Sequence, residues 1–329
     1  MTHLRDHSPA DRSRAVGSGR APVCSRFLSA LLLGAVMASV GGAAVADTST
    51  ANADRPVTAR EQLNATLWMQ RAAEYRLLAA QTWRMAQEKL ASTLVAPGTA
   101  ALEQIHLSPA ALAALPTAII VDLDETVLDN TAYQARNLLQ GAEYDEATWQ
   151  AWMREASATA VPGAKEFLTS AAAAGHRIIY LTNRRCLPSS ATSAETGITA
   201  DPCPAEGWTQ ANLRALGLPF ADDKEALLLR GERPEWASSD KSTRRTWAAE
   251  RYRIIALFGD DLHDFVPRAD FAANESSLSA WFGERWFVLP NPMYGSWDRA
   301  LVGDTCTAAD SVESCATKTR EQRYRALRP

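Results

Sequence analysis

Cysteine and histidine are scarce in this chain: there are five of each in 329 residues, and no two cysteines stand in a C-x-x-C spacing. That argues against a zinc framework built from thiolates and imidazoles. Positive charge is also short, with 34 Lys and Arg against 38 Asp and Glu and a formal net charge of -4. A chain of that balance has no general attraction to nucleic acid polymers or anionic lipid, so an anionic ligand must be met by a few cations placed locally. Internal repeats and low-complexity tracts are missing, which excludes a solenoid. The apolar run from Phe27 to Val40 is broken by serine and glycine and is short for a membrane span.

That run has another reading. Arg5, Arg12, Arg14, Arg20 and Arg26 precede its apolar core and Ala44-Val45-Ala46 follow it. A basic region, an apolar region and a small-residue cleavage site make a secretory signal peptide over residues 1–46, cut near Ala46. Cys24 lies ahead of the run, out of place for a lipidated first residue, so no stable membrane anchor is expected. The segment holds five arginines and two aspartates, net +3, and the mature chain is then -4 minus 3, or -7. Its destination is periplasmic or secreted. Four cysteines remain, and an even count in an oxidising compartment favours disulfides. Of three pairings, Cys186 with Cys203 and Cys306 with Cys315 closes the shortest loops.

What the sequence does have is a strand that runs into carboxylates. Ala118-Ile119-Ile120-Val121 is apolar and largely β-branched, and Asp122-Leu123-Asp124-Glu125-Thr126 follows at once. This is a buried strand ending in a turn, and in an open α/β sheet the crevice beyond the strand ends is where ligands bind. An extended backbone would point Asp122 and Asp124 to one side and bury Leu123. Thr126 and Asp129 offer oxygens to cap a following helix.

The rest alternates around that strand. Residues 47–57 are small and polar, a flexible leader. From Thr58 to Leu94 there is helical periodicity without glycine or proline, one long helix or a hairpin of two, broken at Ala96-Pro97-Gly98. A short helix starts at Ser108-Pro109. Tyr133, Tyr144, Trp149 and Trp152 fall in an insertion of helix formers over about residues 131–161. A helix then runs from Pro162-Gly163 to about Ala174, and Arg177 to Leu181 is a second buried strand. Pro188 to Gly207 reads as a polar loop and Gln210 to Leu216 as a helix. A short strand at Ala226 to Leu229, a helix from Ser242 to Arg251, and strands at Ile254 to Phe258 and Trp286 to Leu289 complete a βαβ rhythm with parallel strands. The tail, residues 301–329, is polar, with a fraying helix over Arg320 to Arg328.

Three further places carry chemistry. The second strand ends in Leu181-Thr182-Asn183-Arg184, a hydroxyl followed by main-chain amides, which suits a phosphate oxygen. Lys241, in Ser238-Ser239-Asp240-Lys241-Ser242, stands at a helix start where ammonium and helix dipole act on one anion. Lys224 competes for that role, but its neighbours Asp222 and Asp223 look like a solvated turn. The strand Ile254 to Phe258 ends in Gly259-Asp260-Asp261-Leu262-His263-Asp264, whose carboxylates with Asp122 can hold a hard cation. His263 reads as a surface residue.

The run Asp122 to Thr126 after an apolar strand resembles the first signature of the haloacid dehalogenase (HAD) superfamily. Continued through Asn130, it is similar to subfamily IIIB, the bacterial class C acid phosphatase and 5′-nucleotidase lipoprotein family. Thr182, Lys241 and the Asp260 to Asp264 run resemble the second, third and fourth signatures in order. The stretch Trp68-Met69-Gln70 through Tyr75-Arg76 resembles the family's N-terminal helix. The resemblance implies a Rossmann-like α/β HAD core with a central parallel sheet over residues 117–300, a smaller helical cap, and an N-terminal helical extension over residues 58–116.

It also implies a mechanism. Asp122 is the nucleophile, forming an aspartyl-phosphate; Asp124 is the acid and then the base; Thr182 and Lys241 hold phosphate oxygens, with Asn183 beside them. Mg²⁺ is implied as cofactor, bound by Asp122, the Asp124 carbonyl and Asp260, with Asp264 in support. An aspartate acting as an acid implies an acid pH optimum. Trp149 and Tyr294 match positions that sandwich a planar group, which points to small phosphomonoesters and among them nucleoside 5′-monophosphates. Trp149 and Trp152, three apart on a helix, equally suit inward packing. The absent lipobox cysteine and the Cys186 to Cys203 loop depart from the lipoprotein members. A binding or storage protein on the same fold, a phosphotransferase acting on nucleosides, and a homo-oligomer stay open.

Overall fold

Thr117–Val121 forms the middle strand, β1, of a five-stranded sheet in the computed structural model of the chain, which describes residues 61–93, 98–188, 201–307 and 309–329. The expected signal segment with its cut near Ala46, the leader over 47–57, the helix start at Thr58, Ala96-Pro97 and the middle of the Pro188 to Gly207 loop lie outside the described residues. β4 (Arg177–Arg185) and β6 (Arg253–Gly259) flank β1, with β5 (Leu227–Arg230) and β7 (Trp286–Val288) outside them, all parallel. The chain leaves β1 toward β4 and β5, then returns to its other side for β6 and β7. Strand order therefore reverses at β1, and the crevice beyond its carboxyl end is where such sheets bind ligands.

Both faces of the sheet are covered, which is why these strands read as continuous apolar runs. Ile119 and Val121 pack on one face with Ile178, Phe167 and Phe258, while Ala118 and Ile120 pack on the other with Ile179, Leu257 and Trp286. On the first face the ring of Trp83 stacks on Phe258 at 4.4 Å between centroids. Gly163 opens the way for it: a Cβ there would lie 3.1 Å from the Trp83 ring, and its φ of +91° suits glycine besides.

Trp83 belongs to the N-terminal helices, which are two: α1 (Leu63–Arg71) and α2 (Ala73–Thr93). They part at Ala72, whose ψ of 135° is extended. No glycine or proline marks the break, because packing sets it: α1 leans on the insertion and α2 runs across the sheet. α3 (Pro109–Ala113) is capped by Ser108 as its sequence predicts.

The insertion is bracketed by an antiparallel ribbon of β2 (Leu128–Asp129) and β3 (Thr159–Ala160) and holds α4 (Thr131–Gln140) and α5 (Glu146–Glu155). Neither expected oxygen sits at the N-cap of α4, which is Asn130; Asp129, one residue earlier, accepts through Oδ1 from the Thr131 amide at 2.8 Å. Thr126 is instead buried, and its hydroxyl donates to Asp260 at 3.4 Å.

After α6 (Ala164–Ala173), helix α7 (Pro204–Leu216) starts earlier than the expected Gln210, with Pro204 in its first turn directly after Cys203. α8 (Ser242–Ala249) follows as expected; α9 (Arg268–Leu278) and α10 (Ser296–Val302) were not foreseen, and α11 (Val312–Ala326) is longer than the expected tail helix. The disulfides are the two local ones, Cys186–Cys203 and Cys306–Cys315. No helix among the described residues is long and apolar enough to cross a membrane.

One buried group gives the fold a pH dependence. His176, at the turn into β4, is buried with Nδ1 2.7 Å from Thr117 Oγ1. Burial, and secondarily Arg253, holds its pKa below the ordinary histidine value. Between that depressed pKa and about 6.5 the unfolded chain binds a proton the folded chain does not. The histidine's contribution to stability is thus present above pH 6.5 and lost as pH falls, by up to about 1.4 kcal/mol per pH unit. His176→Gln should lose stability less steeply than wild type below pH 6.5 in urea unfolding. Equal slopes would show that His176 does not carry this dependence.

Candidate active site

β1 extends one step past Val121, where the Asp122 amide donates to the Phe258 carbonyl at 2.9 Å. The chain then turns tightly over buried Leu123, whose carbonyl accepts from the amides of Val127 at 2.9 Å and Leu128 at 2.8 Å. Glu125 makes this turn with a φ of 63° although it is not glycine. Its buried side chain accepts from the Asn130 amide at 2.8 Å and ties the turn to the start of α4. Burial, and next Asp124 and Asp260, hold the Glu125 carboxyl well above the usual carboxylate range.

The turn brings Asp122 and Asp124 to the crevice, as expected, but to different partners. Asp122 is buried and contacts the Lys241 ammonium, which also donates to Asp264 Oδ1 at 2.6 Å. Asp124 is partly exposed and paired with buried Arg184, whose Nη2 lies 2.7 Å from Oδ1. Thus Lys241 stands at the start of α8 against Asp122. Lys224, its competitor, is 78% exposed and pairs with Glu206 at the surface.

Asp260 and Asp264 arrive from the end of β6. Asp122, Asp260 and Asp264 each offer a carboxylate oxygen within 4.8 Å of the others. Asp260 accepts from Asn291 Nδ2 at 2.7 Å, and Asp264 Oδ2 from the Asp261 amide at 2.9 Å. Asp261 in turn holds the start of α10 through the Ser296 hydroxyl at 2.6 Å. Gly259 is required here for space: a Cβ would fall 2.1 Å from Asp264 Oδ2. His263 is at the surface edge with its side chain 42% exposed.

The charges in this group oppose one another. Burial pushes the Asp122 carboxyl up to about 7, with Lys241 pulling it down and Asp264 and Asp124 adding repulsion. Burial, then Asp264 and Asp122, puts Asp260 well above the carboxylate range. Burial alone would lower Lys241, but Asp122 and Asp264 outweigh it and leave its pKa raised, so it stays an ammonium. Three enclosed carboxylates against that ammonium make an oxygen-donor set that fits a hard divalent cation. The Asp124 carboxylate is not part of that set and pairs with Arg184 instead.

Thr182 and Asn183 stand at the end of β4. Thr182 is buried; its hydroxyl accepts from the Arg184 amide at 3.1 Å and lies 3.5 Å from Asp124 Oδ2. Asn183 is exposed, and its Oδ1 accepts from Arg244 Nη2 at 2.7 Å. Arg244, buried on α8, also donates to the Thr182 carbonyl, so one guanidinium fixes the strand end. Burial lowers its pKa to about 10, still a cation near neutral pH. The sequence reading assigned neither Arg184 nor Arg244. Arg184 adjoins Thr182-Asn183 and was within reach; Arg244 acts across 61 residues and carries no local signal.

Beside the carboxylates lies a cavity of about 490 Å³ whose walls include Asp124, Asn183, Arg184, Tyr133, Trp149 and Tyr294. Trp149 and Trp152 are both buried in the core, as inward packing predicts, and only Trp149 also lines the cavity. Trp152 donates to Asn130 Oδ1 at 2.8 Å. Trp149 lies edge-on to Tyr133 with centroids 5.0 Å apart. Tyr294, from the loop after β7, meets the same cavity.

A parallel sheet that gathers acidic residues and one ammonium at its switch point defines a HAD-type site. The chain belongs to the HAD superfamily, subfamily IIIB (acid phosphatase), whose sequence profile matches residues 37–297. It is similar to Acid phosphatase 1 of Solanum lycopersicum, 26% identical over 178 residues, which are 53% of this chain and 57% of that protein. The match thus spans little more than half of that relative. Among solved structures it is similar to the class C acid phosphatase from Bacillus anthracis with tungstate bound, at 30% identity and a TM-score of 0.65 over 83% of this chain and 99% of that one. A second structure of the Bacillus anthracis class C acid phosphatase matches at 29% identity and a TM-score of 0.64, with the same coverage.

Proposed function

We propose that this protein is an exported, Mg²⁺-dependent acid phosphatase that hydrolyses small phosphomonoesters, nucleoside 5′-monophosphates among them, through an aspartyl-phosphate. The observation that carries the reading is buried Asp122 at the end of β1, clasped by Lys241 and grouped with Asp260 and Asp264.

The chemistry follows from the placement. An Asp122 oxygen attacks phosphorus as the bond to the ester oxygen breaks, and Asp124 gives its proton to the departing alkoxide. As a carboxylate, Asp124 then takes a proton from the water that cleaves the acyl-phosphate, restoring Asp122 and releasing phosphate. Lys241 and the Thr182 hydroxyl offer donors to the phosphate oxygens, with Asn183 at the rim. Asp122, Asp260, Asp264 and the Asp124 carbonyl would hold Mg²⁺, whose charge offsets that of carboxylates and phosphate. Trp149 and Tyr294 give the cavity aromatic walls for a planar leaving group. Residues 1–46 supply the export signal, which places the disulfides and the acid chemistry in the periplasm or outside the cell.

The test is phosphate release by the mature chain from nucleoside monophosphates and sugar phosphates at mildly acidic pH. EDTA should abolish release from every ester and Mg²⁺ restore it. Trp149→Ala should raise KM for nucleoside monophosphates about tenfold, the worth of one stacked base, and leave sugar phosphates unchanged. No metal-dependent release from any ester overturns the reading in favour of a binding protein. An equal KM for both classes in wild type and variant removes the aromatic preference.

A further inference from the structure

Arg184 is held on every side. Its Nη2 donates to Asp124 Oδ1 at 2.7 Å, and its Nε lies 3.1 and 3.2 Å from the two Asp124 oxygens. Nη1 donates to Thr209 Oγ1 at 3.1 Å, and the guanidinium carbon sits 5.6 Å from the centre of the Trp149 ring. Asp124 Oδ1 also accepts from Asn130 Nδ2 at 3.0 Å. Oδ1 is thus saturated with donors. Oδ2 has only the shared Nε and the Thr182 hydroxyl at 3.5 Å, so it is the freer of the two oxygens to meet a leaving group.

What fixes Arg184 is a ring closed by one disulfide and one hydrogen bond. Arg184 is two residues before Cys186, and Thr209 is six residues after Cys203, on buried turns of α7. The Cys186–Cys203 bond joins the end of β4 to the start of α7 and closes a circuit that returns through the Arg184–Thr209 hydrogen bond. The Cys186 amide is itself pinned to the Arg230 carbonyl at 2.9 Å, so the strand side of the ring is anchored to β5. Strand and helix therefore cannot drift apart without straining the bond.

We propose that Arg184 is a positioning residue for Asp124, and that the Cys186–Cys203 disulfide holds it there by fixing Thr209 against it. This rests on the phosphatase reading. Its consequence is specific: proton donation to the leaving group depends on the disulfide, whereas attack by Asp122 does not. A poor leaving group such as a nucleoside alkoxide needs the proton; the nitrophenolate of p-nitrophenyl phosphate leaves without it.

The experiment compares kcat/KM for a nucleoside 5′-monophosphate and for p-nitrophenyl phosphate, since kcat/KM reports the first phosphoryl transfer and not the later hydrolysis. Arg184→Lys keeps the charge and loses the fork geometry. It should lower kcat/KM for the nucleotide at least about tenfold more than for the aryl ester, part of the 10²–10⁴ that a general acid supplies. Thr209→Val and reduction of the wild type by dithiothreitol should each move the same ratio in the same direction, by about threefold, a fraction of that general-acid term. A Cys306→Ser/Cys315→Ser variant carried through the reduction assigns the effect to the other bond. Equal losses for the two esters in Arg184→Lys, or a ratio unmoved by both Thr209→Val and reduction, overturn the proposal. Wild type inactive on both esters overturns the phosphatase reading itself, before any variant is compared.

Discussion

Asp122→Asn should lower phosphate release on the order of 10⁴-fold or more while the chain stays folded, as expected when a nucleophile is removed from an otherwise intact site. The amide keeps the shape of the side chain but offers no anionic oxygen to phosphorus. Folding should survive because Lys241 retains Asp264, 2.6 Å away, as a partner. The wild-type carboxyl is also not a stabilising charge in the metal-free protein. Burial has pushed its pKa up to about 7, so the fold favours the neutral form. The sign follows: between about pH 4 and 7 the folded chain binds a proton the unfolded chain has released, and stability from this group falls as pH rises. A neutral amide removes that loss. The unfolding midpoint of Asp122→Asn without metal should therefore equal or exceed that of wild type at pH 7, and added Mg²⁺ should raise it less, because one ligand is gone. Release within tenfold of wild type would remove Asp122 from the nucleophile's role.

Much of this site was legible because its elements announce themselves twice, once as apolar strand and once as the polar residues that end it. β1, β4 and β6 each read that way, and each delivers its residues to the crevice. Lys241 was preferred to Lys224 on its place before a helix, and the exposed Lys224–Glu206 pair agrees. The break at Ala72 was not legible, since alanine favours helix and only the packing of two helices on different neighbours separates them there. α9 carries no periodic stripe in the sequence, because Leu278 is its single buried residue. α10 is seven residues long and held by Asp261, 35 residues away. Arg184 stands in plain sight beside Thr182-Asn183, but its pairing with Asp124 spans 60 residues, and a motif names its own residues but not the side chains that they aim.

Lys241→Met should show two large effects that separate with metal. Its ammonium is buried between Asp122 and Asp264. Losing a donor aimed at the transferring phosphoryl group should cost about 10²–10³ in kcat, a loss Mg²⁺ does not repair. The second effect is on stability. Removing one partner from a buried ion pair leaves charge uncompensated, at a cost of about 3–5 kcal/mol, and here two carboxylates lose the same cation. The already elevated pKa of Asp122 should then rise further, so a proton can do part of what the ammonium did. It follows that the deficit is greatest above neutral pH and shrinks as pH falls and Asp122 protonates. Mg²⁺ should shrink it too, and should raise the unfolding midpoint of the variant more than that of wild type, because in wild type the ion must compete with Lys241 for Asp122 and Asp264. Denaturant unfolding of both proteins at mildly acidic and mildly alkaline pH, with EDTA and with Mg²⁺, reads all three terms. A variant as stable as wild type at alkaline pH in EDTA would mean that the carboxylates are not ionised together in the free protein. A midpoint that Mg²⁺ leaves unmoved in both proteins would mean that the three carboxylates do not hold this ion, and the charge balance drawn for the site would fail with it.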